Sequence, residues 1–390
     1  MKKRASRPFR VQVVVQENLR YFRDIVLGVR HHGFASGGMV FADRWLEHEL
    51  AGDLRALVRR DRVDGIVAAL HGEDQERRFR GLGVPVVNVS NSLLRPVVPM
   101  VTQDDVAVRR AAAEHLLACG CRSFAFWGQT GAAYSEERLA GFRAGLGRDA
   151  RLAVAGGRGE AERSLDEYVR MRDWLARLEG PLGVFGVLDT FALMLMRAAR
   201  ELGRSVPEEV AVLGAGDEDF WVEFESVPLS SVRLPARRIG GEAARLLEQR
   251  MLRGARSRSV RLSLAGAEVV ARKSTDVIFA GDEAVAKAVR FIRGHAVENP
   301  YVADVARAAG VSAVALQSRF RAELGRTVLG EITRVRVSCA QDLLVGTTLK
   351  MALVAERCGF PNSQRFSVVF REVAGVSPAA YRRRFRESRV

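Results

Sequence analysis

The sequence has few of the patterns that mark secreted, membrane-spanning or metal-dependent proteins. It contains four cysteines in 390 residues. The close pair Cys119 and Cys121 is not followed by a second pair at the spacing of zinc ligands, so we expect buried thiols and no metal. No apolar run approaches the ~20 residues that cross a bilayer, and no signal-peptide core follows the basic N-terminus. These absences predict a cytoplasmic protein with no membrane partner.

Signatures of the common enzyme classes are also absent. The chain lacks a G-x-S-x-G elbow, a P-loop and an H-E-x-x-H helix. Its six histidines are scattered, and neither Gly145-Leu-Gly147 nor Gly214-Ala-Gly216 completes a dinucleotide fingerprint. We therefore expect that the protein is not an enzyme and uses no cofactor. A sugar-modifying enzyme stays open as an alternative, because an α/β core with a polar pocket also suits one.

The charge of the chain is strongly basic, at a formal +15. Residues 276–390 contain 18 Lys and Arg against 11 Asp and Glu, a net charge of +7 in under a third of the chain. A basic surface attracts polyphosphate and makes its binding salt-dependent. An arginine-rich composition of the whole proteome would also raise the charge, so charge alone does not decide in favour of nucleic acid.

Two similar helix-turn-helix patterns lie in the last ninety residues. The first reads VADVARAAGVSAVALQSRF over residues 302–320, and the second reads MALVAERCGFPNSQRFSVVF over residues 351–370. In both, a small alanine lets two helices approach closely, and a glycine four residues later (Gly310 and Gly359) takes the turn conformation that a Cβ would oppose. The second helix of such a unit can lie in a DNA major groove.

The second copy is followed by a short motif that makes the pattern specific. Gly375-Val376-Ser377-Pro378 and Tyr381-Arg382 come directly after it. Together with the repeat, this region resembles the AraC-type DNA-binding domain over roughly residues 282–386. The resemblance implies that double-stranded operator DNA is a partner of this chain.

The AraC-type pattern also implies which side chains contact DNA. Ser312 and Asn362 are natural N-caps of the two recognition helices. The base-facing positions are Val314, Gln317 and Ser318 in the first helix and Ser363, Gln364, Arg365 and Ser367 in the second. Glutamine suits adenine and arginine suits guanine, although both glutamines could instead be ordinary exposed polar residues. The expected phosphate contacts are Arg319, Arg371 and Arg382 to Arg384.

The remaining part of the chain alternates apolar runs with amphipathic ones. Predicted strands lie at residues 11–16, 63–70, 84–89, 123–128, 182–188, 210–214 and 266–271. Predicted helices lie at residues 21–33, 104–118, 136–146, 164–178, 190–202 and 236–252. This alternation predicts parallel sheets built from βαβ units, with ligands bound at the carboxyl ends of the strands. The expected fold is an α/β sensor of two doubly wound parallel-sheet lobes (10–275) joined by a tether at 273–282 to an all-α domain (282–388).

Motifs at several strand-to-helix junctions of the sensor resemble the sugar-sensing core of LacI/GalR-type regulators. Arg138-Leu-Ala-Gly-Phe142 opens a helix, Asp189-Thr-Phe-Ala192 follows a strand, and Pro207 to Gly214 matches a P-x-x-V-x-V-x-G strand. Those regulators carry their DNA-binding domain at the N-terminus. Here the sensor comes first and the DNA-binding domain last, an order that is similar to that of the XylR-type xylose operon regulators. Further matches to that group are Tyr21-x-Arg23 and Tyr134-x-x-Glu137-Arg138. This second resemblance spans nearly the whole chain.

The XylR-type resemblance implies the chemistry of the sensor pocket. A sugar needs carboxylates and amides that accept, a guanidinium that donates and an aromatic wall. By position, Arg138 should donate to sugar oxygens and Asp189 should accept from two hydroxyls. Tyr21, Arg23, Tyr134 and Glu137 are further candidates for wall or polar contacts. A structural ion pair or helix cap is the alternative role for Arg138 and Asp189.

One position departs from the family pattern. Where the family has a sugar-binding aspartate after the strand that ends at Gly214, this chain has Gly216. Asp217 could take the role if the loop shifts by one residue. If it does not, the pocket lacks one acceptor, which costs about 1–3 kcal/mol, or one to two decades of affinity. Xylose is therefore the first candidate and a related sugar the second.

These observations predict a sugar-responsive transcription regulator, and the resemblance favours an activator of pentose catabolic genes. We expect it to act as a homodimer with a small sugar effector, xylose or related, and RNA polymerase is a further expected partner. A ligand-independent DNA-binding protein is the first alternative, and an enzyme is the second. A panel of sugars in a thermal-shift experiment would separate the first two.

Overall fold

The computed structural model describes residues 7–16, 18–45, 47–157, 165–218, 226–253, 260–277 and 282–386. The chain divides into two compact units, Met1–Val277 and Ile278–Val390. The first is the α/β unit with two parallel-sheet lobes, and the second is helical, which confirms the predicted fold class. Among the described helices, none is both long and apolar enough to span a bilayer.

The first lobe is built from alternating strands and helices. Its elements are β1 (Phe9–Val14), α1 (Arg20–Ser36), β2 (Met39–Phe41), α2 (Glu47–Ala51), α3 (Leu54–Arg60), β3 (Gly65–Ala68), α4 (Glu73–Arg80), β4 (Val86–Asn88) and β5 (Met100–Gln103). The chain then crosses into the second lobe. The elements there are α5 (Asp105–Ala118), β6 (Ser123–Gln129), α6 (Ala133–Leu146), β7 (Arg151–Gly157), α7 (Leu165–Ala176), β8 (Leu182–Gly186), α8 (Asp189–Glu201), β9 (Val210–Ala215) and β10 (Ser230–Arg233).

The last part of this unit returns to both lobes. It contains α9 (Ala236–Arg253), β11 (Arg261–Leu264) and β12 (Glu268–Val270). The first sheet has the order β11-β5-β4-β3-β1-β2, and the second has the order β12-β10-β9-β8-β6-β7. All pairs are parallel except β10 with β12. The carboxyl ends of β3, β4 and β5 in one lobe and of β6, β8 and β9 in the other therefore border the cleft.

Each lobe has its own apolar core. In the first lobe, α1 and α9 cover one face of the sheet, and Ile25, Ile239 and Leu247 are fully buried there. In the second lobe, the rings of Phe124, Phe126, Phe142 and Phe185 form one cluster with centroids 5.4–6.3 Å apart. Apolar burial of this extent holds each lobe rigid, so that the side chains at its strand ends keep fixed positions.

The first half of the segment that the sequence assigned to a tether is part of the second lobe. Lys273–Thr275 forms one turn of 3-10 helix, and Ser274 and Thr275 are buried. The Ser274 hydroxyl donates to the Val212 carbonyl oxygen over 2.6 Å. The prediction of a tether over 273–282 is therefore wrong for its first half, because these hydroxyls find partners in the sheet. Residues 278–281 lie outside the described residues.

The helical unit contains two groups of three helices. A long helix between the two groups contributes to the core of both. Its elements are α10 (Glu283–His295), α11 (Val302–Ala309), α12 (Ala313–Leu324), α13 (Val328–Gly346), α14 (Met351–Arg357), α15 (Ser363–Ala374) and α16 (Pro378–Arg386), with a 3-10 turn at Ala296–Glu298. One core joins α10, α11, α12 and the start of α13. A second core joins the end of α13 to α14, α15 and α16. Helix α13 thus links the two helix-turn-helix units.

The cysteines agree with the expectation of buried thiols. All four are free, and Cys119, Cys121 and Cys358 are buried. Burial raises the pKa of the Cys121 thiol, which keeps it protonated. Among the described residues, no group of three or more His, Cys, Asp and Glu side chains is placed to hold a metal ion.

Candidate functional site: the sensor cleft and the recognition helices

A cavity of about 430 Å³ lies between the two lobes of the α/β unit. This volume falls within the range of small-molecule pockets. The residues that line it come from both lobes and are Gln16, Leu19, Tyr21, Phe22, His71, Ser90, Asn91, Ser92, Gln103, Gln129, Thr130, Gly131, Ala132, Tyr134, Arg138, Leu188, Asp189, Thr190, Ala215, Gly216, Glu218 and Leu234. The mixture of amides, hydroxyls, carboxylates and aromatic rings suits a polyhydroxylated ligand.

Arg138 lies in the cavity wall, with 2% of its surface exposed. Its Nε donates to the Asp105 carboxylate over 2.7 Å, and one terminal nitrogen donates to the Val187 carbonyl oxygen over 2.7 Å. The ion pair that the sequence suggested as an alternative therefore exists, but its carboxylate is Asp105 and not Asp189. These contacts hold the guanidinium plane in one orientation at the edge of the cavity.

Asp189 is the first residue of α8 and also lines the cavity. Its Oδ1 accepts from the Ser231 hydroxyl over 2.6 Å, and its Oδ2 accepts from the Glu218 backbone N–H over 2.8 Å. Burial raises the pKa of Asp189 to about 7, and the Asp217 and Glu218 charges add to that rise, against the two hydrogen bonds. Each carboxylate oxygen has a second lone pair, so both can still accept from a ligand.

The aromatic wall consists of side chains from both lobes. The Tyr21 hydroxyl donates to Gln103 Oε1 over 2.9 Å, and burial with the nearby Asp105 charge raises the Tyr21 pKa. The Tyr134 hydroxyl donates to Gln129 Oε1, and the Tyr134 ring lies under the Arg138 guanidinium, 5.2 Å from ring centre to Cζ. Tyr21 and Tyr134 are thus phenols whose hydroxyls are already held by glutamine oxygens.

Three of the seven expected pocket residues lie outside the lining. Arg23 donates to the Asn18 carbonyl oxygen on the surface of α1. Glu137 pairs with Arg261 over 2.8 Å and accepts from Asn91. Asp217 is buried, but its carboxylate is turned toward three arginines instead of the cavity. The expectation that Asp217 replaces the missing acceptor is therefore not met in this structure.

The backbone at Gly216 explains the position of Asp217. Gly216 has φ of 132° and Asp217 has φ of 56°, both in the left-handed half of conformational space. A Cβ at Gly216 would lie 3.2 Å from Asp189 Oδ2. The Asp189 carboxylate thus occupies space next to the position where the family pattern has another aspartate. Glu218, two residues later, returns to the cavity wall.

Backbone groups of the two lobes are hydrogen-bonded across the cleft. The N–H groups of Ala133 and Tyr134, at the start of α6, donate to the carbonyl oxygens of Ser92 and Asn91. On the other side, the Glu218 carboxylate accepts from the Arg20 N–H over 2.8 Å at the start of α1. The first N–H groups of a helix have no partner within the helix, so each lobe supplies acceptors for a helix start of the other. The cleft is closed in this structure.

In the helical unit, the first recognition helix is α12. Ser312 caps it by accepting from the Ala315 N–H, as predicted. Val314 is 82% exposed and lies in one shallow groove with Gln317 and Ser318. Arg319 is exposed and pairs with Asp282 over 3.2 Å. Two other side chains of this helix, Leu316 and Phe320, are fully buried in the apolar core.

The second recognition helix is α15, capped by Asn362, whose side chain accepts from the Arg365 N–H over 2.8 Å. Gln364, Arg365 and Arg371 are exposed, and Ser363 and Ser367 are half-buried. The Ser367 hydroxyl donates to the Ser363 carbonyl oxygen. The inward residues Phe366 and Phe370 are fully buried. Beyond this helix, Arg382 is half-buried and Arg383 is exposed, while the Arg384 side chain lies outside the described residues.

Comparison with protein-family models agrees with this division of the chain. Residues 10–153 match the periplasmic binding proteins and the sugar binding domain of the LacI family. Residues 113–275 match a periplasmic binding protein-like domain. Residues 305–384 match a helix-turn-helix domain.

Curated relatives share this whole arrangement. The chain is similar to the xylose operon regulatory protein of Escherichia coli (strain K12), with 30% identity over 387 residues that cover 96% of each chain. It is also similar to the xylose operon regulatory protein of Haemophilus influenzae, with 27% identity covering 96% of this chain and 98% of the relative. The chain belongs to the family of xylose operon regulatory proteins.

A solved structure supports the same assignment. The structure of the xylose-binding transcription activator XylR matches with a TM-score of 0.65 and 28% identity, covering 97% of this chain and 98% of the other. As a member of this family, the chain is a sugar-responsive transcription regulator that binds operator DNA, and not an enzyme. Its effector is a small sugar, which is bound by the α/β unit.

Two residues carry roles that the sequence did not assign: Glu218 in the cavity wall and Asp105 as the partner of Arg138. Asp105 holds Arg138 and also accepts from Gln103 and Asn91. Glu218 supplies the carboxylate next to the missing aspartate. The available signal for Asp105 was a pair of aspartates, Asp104 and Asp105, that follows the buried strand β5, which ends at Gln103. No local pattern distinguished Glu218 from the neighbouring acidic residue.

Proposed function

We propose that the cleft binds a pentose, with D-xylose as the first candidate, and that the chain activates genes of pentose catabolism in response. The observation that carries the proposal is the composition of the cavity wall, which contains the Arg138 guanidinium, the Asp189 and Glu218 carboxylates and the aromatic rings of Tyr21, Phe22 and Tyr134. The guanidinium would donate to the ring oxygen and hydroxyls of the sugar, and Asp189 would accept from two neighbouring hydroxyls. The names of the relatives, which refer to xylose and to an activator, support the same choice.

Tyr21 and Tyr134 would form the walls of the proposed sugar site. A sugar ring presents weakly apolar C–H faces, which pack well against aromatic rings. Because both phenol hydroxyls are held by glutamine oxygens, the rings need no reorganisation before the ligand enters. Arg23, Glu137 and Asp217 are not part of this proposal, since their side chains have other partners outside the cavity.

The DNA-reading residues are also a proposal. Val314, Gln317 and Ser318 on α12 would contact base edges in one major groove. On α15, Gln364 and Arg365 would contact the next groove, with Ser363 and Ser367 beside them. Arg319 and Arg371 would bind phosphates. To do so, Arg319 would give up its contact with Asp282 and contact a DNA phosphate instead. The two recognition helices, α12 and α15, belong to units that are linked by α13. They would enter successive major grooves about one turn, ~34 Å, apart.

The assembly in which the protein acts is proposed as a homodimer in the cytoplasm, with RNA polymerase as its partner at the promoter. A dimer would carry four helix-turn-helix units and so favour a repeated operator. Sedimentation velocity at micromolar concentration checks this part, and a monomer that binds a single operator copy would contradict it.

A thermal-shift panel of pentoses and hexoses tests the proposed effector. A true ligand at 100 times its dissociation constant should stabilise the protein by about 2.7 kcal/mol. We expect D-xylose or a close pentose to give the largest shift, and Asp189→Ala to abolish that shift. Normal sugar binding by this variant in calorimetry would show that the pocket is elsewhere. If no sugar shifts the wild-type chain while operator DNA still binds, the ligand-independent alternative holds.

A further inference from the structure

The cluster of charges around Asp217 has no part in the proposed sugar site. Asp217 is 1% exposed, and its carboxylate contacts three guanidinium groups. Arg272 lies 2.6 Å from Oδ1, Arg233 lies 2.6 Å from Oδ2, and Arg20 lies 3.3 Å from Oδ2. Burial alone would raise the pKa of Asp217, but the three positive charges outweigh it and hold the pKa below its usual value. Asp217 is therefore a buried anion at the centre of three cations.

The three arginines belong to three different parts of the α/β unit. Arg20 is the first residue of α1 in the first lobe. Arg233 ends β10 in the second lobe. Arg272 lies directly before the buried turn Lys273–Thr275. It begins the segment through which the chain leaves the second lobe, residues 272–277, which we call the exit segment. One carboxylate thus connects the facing lobe, its own lobe and the exit segment.

Asp217 is also connected to the wall of the cavity through short contacts. The Ser231 hydroxyl donates to Asp189 Oδ1 over 2.6 Å and accepts from the Asp217 N–H over 3.0 Å. The neighbours of Asp217 on both sides, Gly216 and Glu218, line the cavity. A ligand that draws on Asp189 or Glu218 therefore acts on the same short loop that holds the Asp217 carboxylate.

The exit segment is held to the second lobe by several hydrogen bonds. Arg272 donates from its side chain to the Leu229 carbonyl oxygen over 2.9 Å and from its backbone to the Ser230 hydroxyl over 2.7 Å. Ser274 accepts from the Ser230 N–H over 2.7 Å. After Val277, the chain continues into the helical unit. The position of Arg272 is thus set jointly by this network and by Asp217.

The contact with Arg20 depends on the closure of the cleft. Arg20 also donates from its side chain to the Asp217 carbonyl oxygen over 3.0 Å, and its backbone N–H binds Glu218. Separation of the lobes would remove Arg20 from the carboxylate and leave Asp217 to Arg233 and Arg272 alone. Because buried charge pairs are strongly sensitive to the loss of one partner, the hold of Asp217 on Arg272 should differ between the open and the closed cleft.

We propose that Asp217 is a coupling residue, which transmits the closure of the cleft around the sugar to the exit segment at Arg272 and so to the affinity for operator DNA. This proposal rests on the proposed sugar response. It assigns Asp217 to the response itself and not to the binding of the sugar.

The test uses the full-length protein with Asp217→Asn, which keeps the shape of the side chain and removes its charge. The control is Asp173→Asn, which removes an exposed aspartate of the same lobe that also pairs with an arginine, Arg172. The sugar is D-xylose, or the panel sugar that stabilises the wild-type chain if it is another one. Sugar affinity is measured by calorimetry, and operator affinity is measured with and without saturating sugar.

For the wild-type chain and Asp173→Asn, we expect sugar to change operator affinity by the same factor, within the roughly 5–150-fold range of allosteric couplings. For Asp217→Asn, we expect that factor to fall below about 2, while sugar affinity stays within about threefold of the wild-type value. Arg272→Gln provides a second route if Asp217→Asn does not fold, since Arg272 is partly exposed, and should show the same loss.

Three results would overturn the coupling role. If Asp217→Asn keeps the wild-type factor, the ion cluster has only a structural role. If it loses sugar binding while Asp173→Asn keeps it, Asp217 is a ligand residue. If instead the wild-type chain binds sugar without any change in operator affinity, the proposed sugar response itself fails, and the coupling role fails with it.

Discussion

Arg138, the proposed sugar donor in the cavity wall, forms a buried ion pair with Asp105 and not with Asp189, the proposed acceptor. Arg138 and Asp105 are 2% and 3% exposed, and Asp105 also accepts from Gln103 and Asn91. A guanidinium held in this way pre-orients its donors, so less conformational entropy is lost when a sugar binds. The pair belongs to the second lobe, whereas Gln103 and Asn91 come from the first. Asp105 therefore also connects the two sides of the cavity.

Removal of Arg138 should cost more stability than removal of both members of the pair. Arg138→Met leaves Asp105 buried without its cation, which should destabilise the protein by about 3–5 kcal/mol. Arg138→Met with Asp105→Asn should recover a large part of that loss, because no uncompensated charge remains. Urea unfolding measures both variants. Arg197→Met, which removes an exposed arginine paired with Glu201, is the control and should have a much smaller effect. Equal losses in the single and the double variant would contradict the argument.

The raised pKa of Asp189 predicts that sugar binding depends on pH near neutrality. Burial sets that pKa at about 7. Sugar hydroxyls need the ionised carboxylate as acceptor, so the competent fraction grows as pH rises through 7. The apparent affinity should therefore be about tenfold higher at pH 8 than at pH 6, as measured by calorimetry.

The control for this pH dependence is His71, which also lines the cavity. The profile is repeated with His71→Gln, and the rise should persist there if Asp189 is its source. A rise that disappears in His71→Gln would assign the titration to the histidine. A flat profile in the wild-type chain would contradict the role of Asp189 as an ionised acceptor.

At the scale of single elements, two substitutions in the second recognition helix, α15, should separate the preference for one DNA sequence from the general affinity for DNA. Arg365 is exposed at the start of α15, and Arg371 is exposed two turns later. Arg365→Ala should weaken the preference for one base pair by about 1–3 kcal/mol. Arg371→Ala should weaken binding to all sequences alike and reduce the salt slope by about 1. Competition binding over single-base operator variants at several salt concentrations measures both, and an unchanged preference in Arg365→Ala would reject its assignment.

The sequence predicts the elements whose pattern is local. Strands β1, β3, β4, β6, β8 and β9 are short apolar runs, and the helices that follow most of them are amphipathic, so periodicity identified them. The helix-turn-helix units were predicted down to their N-caps, Ser312 and Asn362. Both patterns arise within one turn or one strand, and the structure confirms them.

The elements that the sequence did not predict depend on contacts distant along the chain. Strand β5 is short and ends in polar residues, yet it is fully buried because β4 and β11 flank it. Strand β7 is an edge strand, and its short apolar run, Leu152–Ala155, is only partly covered. The same reason applies to the site. Arg138 and Asp189 could be found from motifs, whereas the role of Glu218 and the ion cluster of Asp217 required the backbone turn at Gly216.

At the scale of the whole molecule, one chain contains both a ligand cleft and a DNA reader. The cleft is closed by contacts between polar groups of the two lobes, including the helix starts of α1 and α6. We expect a sugar that contacts both lobes to bind this closed form more tightly, and so to shift the population of the unit toward closure. If closure alters the exit segment, the binding of sugar and the binding of operator are coupled. Either both ligands favour the same state of the protein, or sugar favours one state and operator favours the other.

This linkage predicts a reciprocal effect of equal size. If saturating sugar changes operator affinity by some factor, saturating operator must change sugar affinity by the same factor. Operator affinity is measured by fluorescence anisotropy with and without sugar, and sugar affinity by calorimetry with and without operator. Asp189→Ala is the control, because it should bind operator with one affinity at every sugar concentration. Equal operator affinity of the wild-type chain with and without saturating sugar would contradict the prediction, since the cleft and the DNA reader would then act independently.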